Sequence, residues 1–434
     1  MRRRLRLFFW FFRDFLRKYR WLVFSGLVFG TFFFFFGFRY RYLLPQPKKT
    51  IKIGVVGRYT TGNLPEWLLR KISRGLTRIE TDGSVAADLA VSWEVSDAGR
   101  VYRFQLQPGI AWQDGTVFRA GDLQYDFKNI SHQPQADTIL EFSLAEPFAP
   151  FPILLSQPVF KKGLLGIGDY RVAGLQFSGD FVRLIKLDGQ ETLIFKFYPT
   201  EKAAILGFKL GEVDRLEQIS DLTAFANWSQ LKIEPQVDEK RFVALFFNTR
   251  NALFSSKPFR QALLYAIEKP EDKSRALGPL QPESWAYNSQ VKPYNYNPPR
   301  VKELLQEAGV TEATVELVTT FSQLSFAEKV KNYWQAIGVE TEVRIVSTLP
   351  EDFQVLLASQ EIPADPDQYT LWHSTQATNI TGYNSPQIDK LLEDGRKVLD
   401  QEERKVIYLD FQRFLVEDAP AGFLFHPTVY TISR

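Results

Sequence analysis

Residues 87–126 read ADLAVSWEVSDAGRVYRFQLQPGIAWQDGTVFRAGDLQYD. Tyr102, Phe104 and Leu106 alternate with Val101, Arg103, Gln105 and Gln107, the period of two of a half-buried strand. Asp97-Ala98-Gly99 before this strand is a turn in which Gly99 is free to take a positive φ. Pro108-Gly109 ends the strand, and Asp114-Gly115 makes a second turn. Read alone, the stretch is expected to be a compact α/β unit with no evident catalytic group.

Outward from it, Ile51–Val56 reads as a strand, Tyr59–Pro65 as a loop, and Glu66–Leu76 as a helix with Leu68, Leu69, Ile72 and Leu76 on one face. Residues Ser131–Pro158 hold five prolines and are expected to be loop-rich. Strands follow at Phe181–Leu187 and Thr192–Tyr198, then a helix Glu201–Leu210 closed by Gly211. Arg241–Asn248 is almost continuously apolar, as in a strand covered on both faces. Helices are expected at Pro258–Glu268 and after the Asn297-Pro298-Pro299 cap. Strand Ala313–Thr319, helix Ser325–Ile337 and strand Val339–Val346 make a βαβ pattern. Ser385-Pro386 opens another helix. Asp400 with Glu403 forms a capping-box pattern for a helix whose face carries Ile407, Phe411, Phe414 and Leu415. A single last strand is expected over Gly422–Ile432.

The formal net charge of +3 hides an asymmetry. Residues 1–49 carry 12 of the 53 Lys/Arg and one of the 50 Asp/Glu, leaving 41 and 49 for the rest, a net of −8. A mildly acidic body argues against nucleic acid as a partner. Trp21–Phe38 (WLVFSGLVFGTFFFFFGF) is uncharged, and its 18 residues span roughly 27 Å as a helix, enough for a bilayer core. Arg2, Arg3, Arg4, Arg6, Arg13, Arg17, Lys18 and Arg20 precede it, so the positive-inside rule predicts a cytoplasmic N-terminus and an extracytoplasmic body at the cell membrane. No A-x-A-like cleavage site follows, which favours an anchor over a signal peptide. With no cysteine in the chain, thiol chemistry and lipid-modified cysteine are excluded. The expected organisation is a basic cytoplasmic segment 1–20, a transmembrane anchor 21–38 and a linker 39–50, followed by the body.

Few constellations suggest catalysis. His132, His373 and His426 lack metal-ligand spacing, so neither a metal nor another cofactor is expected. GLLGIGDY (163–170) does not open a helix after a strand, so a plain turn is favoured over a phosphate cradle. Asp365-Pro366-Asp367 sets two carboxylates close together, as an acid–base hydrolase would need, but solvated acids in a turn are the simpler reading. Trp285, Tyr287, Tyr294, Tyr296, Trp372 and Tyr383 fall in loop-like stretches, where amphipathic rings can line a cleft.

The block LAVSWEVSDAGRVYRFQLQPGIAWQDGTVFRAGDLQYDF (89–127) resembles the signature region of the family 5 extracellular solute-binding proteins, the peptide/nickel-type receptors of ABC importers. LFFNTRNALFSSKPFRQALLYAIEK (245–269), YNPPRVKELLQEAGV, VKNYWQAIGVETEV, DPDQYTLWHS, TGYNSPQIDKLL and EERKVIYLDFQRFLVEDAPAGFLF continue the resemblance in order. It implies an α/β, bilobal, periplasmic-binding-protein-like body of the type II, two-crossover kind, with lobe 1 from 51–241 plus 422–434 and lobe 2 from 242–421. It further implies a non-enzymatic, membrane-anchored receptor, expected to be monomeric, that binds a peptide or other small-molecule ligand between the lobes and delivers it to an ABC permease and its ATPase. An anchored scaffold or sensor of the same fold is the alternative. Loop position and resemblance together nominate Tyr59, Thr60, Asn248, Trp285, Tyr287, Glu361, Asp365, Trp372 and Tyr383 as ligand-binding. In three places the sequence departs from the family pattern. The stretch 127–166 is short, the chain stops soon after the returning strand at Tyr430, and the Asp that the resemblance places three residues before Asp365-Pro366-Asp367, to pair with a peptide amine, is here Ile362, so that either Glu361 beside it substitutes or the ligand is not a free-amine peptide.

Overall fold

A computed structural model describes residues 10, 13–39, 48–348, 350 and 352–434. It divides into two compact units, Met1–Thr50 and Ile51–Arg434. In the first, the apolar run is helical as α1 (Arg20–Arg39). Among the described residues no helix is long and apolar enough to cross a membrane. The side chains of expected-anchor residues 37 and 38, the basic residues 1–9 and linker residues 40–47 lie outside the described residues.

The second unit holds two large sheets. β1 (Thr50–Val56) leads to α2 (Glu66–Ile72), the hairpin β2 (Thr77–Ile79) and β3 (Val85–Ala87), and then β4 (Ala90–Ser96) and β5 (Val101–Leu106). β6 (Ile130–Ala136), β7 (Ile139–Leu144) and α3 (Phe151–Leu154) follow. The chain continues through β8 (Arg171–Ser178), β9 (Phe181–Asp188), β10 (Thr192–Tyr198), α4 (Glu201–Lys209), β11 (Arg215–Ile219) and β12 (Lys232–Val237). The second half contains β13 (Arg241–Phe247), α5 (Lys257–Tyr265), α6 (Pro298–Glu307), β14 (Ala313–Thr320), α7 (Leu324–Gln335), β15 (Val339–Val346) and β16 (Val355–Glu361). It ends with α8 (Tyr369–Trp372), α9 (Pro386–Lys397), α10 (Gln401–Asp418), β17 (Ala421–Phe425) and β18 (Thr428–Ser433).

The sheet orders are β12-β18-β11-β1-β10-β9-β8, β15-β14-β16-β13-β17 and, for a smaller sheet, β4-β5-β7-β6. The expected βαβ unit is present: β14 pairs in parallel with β15. Buried on nearly every residue, β13 lies between β16 and β17. The chain crosses between the large sheets twice, from β12 to β13 through 238–240 and from β17 to β18 through His426-Pro427. The expected single last strand is therefore two, one in each large sheet. The two crossings are tied together, since Asp238 N donates to Pro427 O at 2.8 Å and His426 Nδ1 lies 2.6 Å from Arg241 O.

Residues 87–126 differ from the expected α/β unit. They contribute two strands to an all-β sheet with its own core of Tyr102, Phe104, Trp112, Leu140 and Phe142. In the turn, Asp97, Ala98 and Gly99 all have positive φ, at 49°, 50° and 91°. Asp114 accepts from Thr116 N at 2.9 Å and Oγ1 at 2.5 Å, and these bonds hold its carboxyl down at about 2. The preceding Gln113 reaches the carbonyls of Ile72 (3.1 Å) and Tyr170 (2.8 Å), fastening GLLGIGDY to the end of α2. A Cβ on Gly168 would lie 2.6 Å from the Ile72 carbonyl carbon, so this glycine permits close backbone approach.

Two other expectations change. The loop-rich region 131–158 contains β6 and β7, and Pro134 is tolerated because β6 is an edge strand. α2 stops at Ile72 rather than Leu76: Ser73 turns extended and its hydroxyl donates to Val159 O, freeing Leu76 for the smaller sheet's core.

Candidate functional site

The end of β16 and the loop behind it approach the crossings. Glu361 lies opposite Arg241 in the β13–β16 register, and Ile362 N donates to Lys240 O at 2.8 Å. Ile362 is buried, whereas Glu361 is exposed. The position expected to carry an amine-pairing carboxylate is thus apolar and shielded.

The loop that follows reaches across to the first half. Trp285 N donates to Asp82 O at 2.8 Å, and a Cβ on Gly83 would meet Ala364 O at 2.6 Å. Behind this contact Asp365 is buried and paired with Arg404 at 2.9 Å. Arg404 also donates to Gly395 O at 2.9 Å and lies 5.4 Å from the Trp285 ring centroid. Burial opposes the Arg404 charge most strongly, but Asp365 and Tyr408 together outweigh it and raise the guanidinium above its ordinary value. Asp367 pairs with Arg396 at 2.8 Å. Burial still raises its carboxyl, with Arg396 acting in the opposite direction. Arg396 in turn stacks on Tyr369 and accepts Ala149 N on its carbonyl at 2.7 Å, a second tie between the halves. Asp365 is therefore buried and Asp367 partly so, both are ion-paired rather than solvated in a turn, and neither is free to act as a water-activating base.

A cavity of ≈ 230 Å³ opens beside β16. Phe246 of β13, Leu356 and Ala358 of β16, and Leu371, Trp372 and Ile380 line it. Ser359, Gln360, Thr378 and Thr381 supply its polar edge. Trp372 stacks on Phe246 with centroids 6.5 Å apart and is nearly enclosed, at 3% exposure. Among the described residues its Nε1–H has no hydrogen-bond partner, and neither does the amide of the fully buried Gln368 one helical turn before it.

The nine nominated residues do not converge on one spot. Tyr59 and Thr60 follow β1. The Tyr59 ring packs on Phe197 at 5.1 Å, and Thr60 N donates to Asn63 Oδ1. Asn248 is used within the backbone, its Nδ2 donating to Phe353 O at 2.9 Å. Trp285 and Asp365 share the Arg404 cluster, and Tyr287, half-buried, packs against the same core as Trp285. Tyr383 is buried and donates to Asp418 Oδ2 at 2.6 Å. Only Trp372 lines the cavity. Arg396, Arg404 and Gln368 were missed. A signal for Arg404 was available, because it heads the buried stripe Arg404/Tyr408/Phe411/Leu415 of α10 and a charge on such a stripe implies a buried partner. Among the described residues no group of three His, Asp or Glu is placed to hold a metal.

Residues 84–149 and 189–382 match the family model described as bacterial extracellular solute-binding proteins, family 5 Middle. The oligopeptide-binding protein AppA of Bacillus subtilis (strain 168) is 22% identical, over 88% of this chain and 87% of its own length. Among solved structures, NikZ from Campylobacter jejuni in complex with Ni(L-His) superposes with a TM-score of 0.73 at 23% identity, covering 89% of this chain and 94% of that one. AppA from Bacillus subtilis in complex with a nonapeptide gives 0.66 at 20% identity, covering 89% and 95%. At these identities the likeness shows the fold, an α/β body of two lobes of the periplasmic-binding-protein type.

Proposed function

The chain belongs to family 5 of the bacterial extracellular solute-binding proteins, and from that premise we propose that it is a receptor that captures a peptide-like solute between its lobes. The family consists of solute-binding proteins, not enzymes. We assign lobe 1 to the seven-stranded and smaller sheets and lobe 2 to the five-stranded sheet, with 238–240 and His426-Pro427 as the hinge. The observation that carries this reading is the pair of adjacent crossings, because two short strand-to-strand connections let two rigid cores rotate as bodies. Anchoring by residues 21–38 and delivery to an ABC permease and its ATPase belong to the same proposal. Their support is the uncharged run bracketed by arginines, since tethering would raise the receptor's local concentration at a permease.

The cysteine-free sequence makes the test direct. Cysteines introduced as Lys202→Cys and Lys329→Cys, both at exposed positions, would carry a fluorophore pair across the cleft in the full chain, held in nanodiscs. A panel of free peptides, amine-blocked peptides and nickel–histidine complexes should contain at least one member that shortens the distance and raises the melting temperature. If every member leaves both unchanged, the receptor reading fails and the anchored-scaffold reading replaces it.

A further inference from the structure

Away from the crossings, two small pieces of lobe 1 touch lobe 2 directly. One is the turn between β2 and β3. Glu80 N donates to Ser84 O at 2.9 Å, Gly83 N to Glu80 O at 3.0 Å, and Ser84 N to Asp82 Oδ1 at 2.9 Å, so the turn is held from within. The other is the loop 145–150, fixed by the Tyr102 hydroxyl, which donates to Phe148 O at 3.1 Å. Thr77 Oγ1 of β2 donates to Pro152 O at 2.6 Å and ties the two pieces together. The lobe 2 groups that face them are braced as well. Arg404, paired with Asp365, lies 5.4 Å from the Trp285 ring centroid, and Asp367 holds Arg396. The two acids after β16 thus stiffen the surface that lobe 1 meets.

The contacts run largely through main chain. Trp285 N donates to Asp82 O at 2.8 Å and Ala149 N to Arg396 O at 2.7 Å. The Arg396 guanidinium lies 5.4 Å from the Phe148 ring centroid, within cation–π range. A Cβ on Gly99 would lie 3.2 Å from the Leu399 side chain. The fit is tight at Gly83, where a Cβ would fall 2.6 Å from Ala364 O, a main-chain atom that cannot rotate aside. An opening rotation about 238–240 and His426-Pro427 separates all of these groups. Contacts present in only one of two states bias the equilibrium toward that state.

We propose, resting on the receptor reading, that the 82–83 turn and the 145–150 loop form a latch that closes on Trp285, Ala364, Arg396 and Leu399. Part of the closed state's stability then comes from contacts between the lobes rather than from the solute. Gly83 is a positioning residue of this latch: it serves the fit against Ala364 as well as the turn.

Gly83→Ala and Gly109→Ala make a matched pair for the test. Their φ values are 80° and 81°, so both place an alanine in the left-handed region at a similar backbone cost. A Cβ on Gly109, however, has nothing within 4 Å among the described residues. The full chain in nanodiscs carries spin labels at Lys202→Cys and Lys329→Cys, and double electron–electron resonance reads their distance distribution. Samples contain no added solute, Ala-Phe-Ala, N-acetyl-Ala-Phe-Ala or nickel–histidine. Gly83→Ala should shift the population to longer distances, raising the open-to-closed ratio about fivefold, as loss of one hydrogen bond would. Gly109→Ala should keep the parent distribution. Leu399→Asn, at an exposed position facing Gly99, should shift it in the same direction as Gly83→Ala without backbone strain. If a solute closes or stabilises the parent, yet Gly83→Ala and Leu399→Asn keep the parent distribution in every sample, the latch is overturned and the receptor reading stands. An equal shift in Gly109→Ala also overturns the latch, because backbone strain then suffices. If no solute shortens the parent's distance or raises its melting temperature, the receptor reading fails, whether or not the two glycine variants differ.

Discussion

Asp365 and Arg404 show how much one side chain's surroundings change its meaning. In the sequence, Asp365-Pro366-Asp367 reads as a polar turn. In the fold, the Asp365 and Arg404 side chains are 10% and 8% exposed, and the ion pair joins the loop after β16 to α10. Removing the arginine would leave a buried carboxylate without compensation. Arg404→Met is therefore expected to cost about 3–5 kcal/mol, read as a drop in the urea midpoint of the full chain. Adding Asp365→Asn to it should recover part of the loss, because the uncompensated charge is then gone. A double variant no more stable than Arg404→Met would show that the ion pair is not what the single change removes.

At the scale of elements, local signals carried far. The caps expected at Asn297, Ser385 and Asp400 each accept a backbone N–H three residues on. Asp400→Ala should cost about 1 kcal/mol, measurable as a lowered melting temperature, while Asp400→Ser should keep most of the stability. An Asp400→Ala chain as stable as the parent would mean that tertiary packing alone holds the start of α10. Faces were less legible than ends. The stripe expected on α10, Ile407/Phe411/Phe414/Leu415, is in fact Arg404/Tyr408/Phe411/Leu415 with Gln412. A helix wedged among several neighbours buries polar groups wherever partners exist, and the partners lie more than a hundred residues away: Gln412 Nε2 donates to Ala286 O at 2.7 Å. β6 was hidden behind Pro134 for a similar reason, since an edge position decides whether a strand tolerates proline.

For the whole molecule, the two crossings are where pH should act. His426 is 2% exposed, its Nδ1 is bonded to the Arg241 carbonyl, and its backbone N donates to Ser274 O. Burial lowers its pKa below the ordinary 6.5, with Arg241 O, Glu239 and Asp238 acting the other way. A base depressed in the folded state binds fewer protons than the unfolded chain just below 6.5, so stability rises with pH through that window and falls on acidification. The full chain should melt at a lower temperature as pH drops from 7 through the region below 6.5, and His426→Gln should flatten that slope. An unchanged slope in the variant would remove His426 as the cause.

The sequence by itself determined the class of elements, most of their ends, the α/β alternation of the second half and the family to which the chain belongs. These follow from periodicity, caps and glycines, all local in the chain, and from several ordered blocks read together. Only the tertiary structure decided that the last strand is two strands in two sheets, that 87–126 belongs to an all-β layer, and that the acids after β16 are spent on arginines. It alone set Trp372, one of nine nominated residues, into a cavity. The physical reason is common to all of these. Burial, pairing and charge compensation are settled by segments that meet only after folding, and no window along the chain contains both partners.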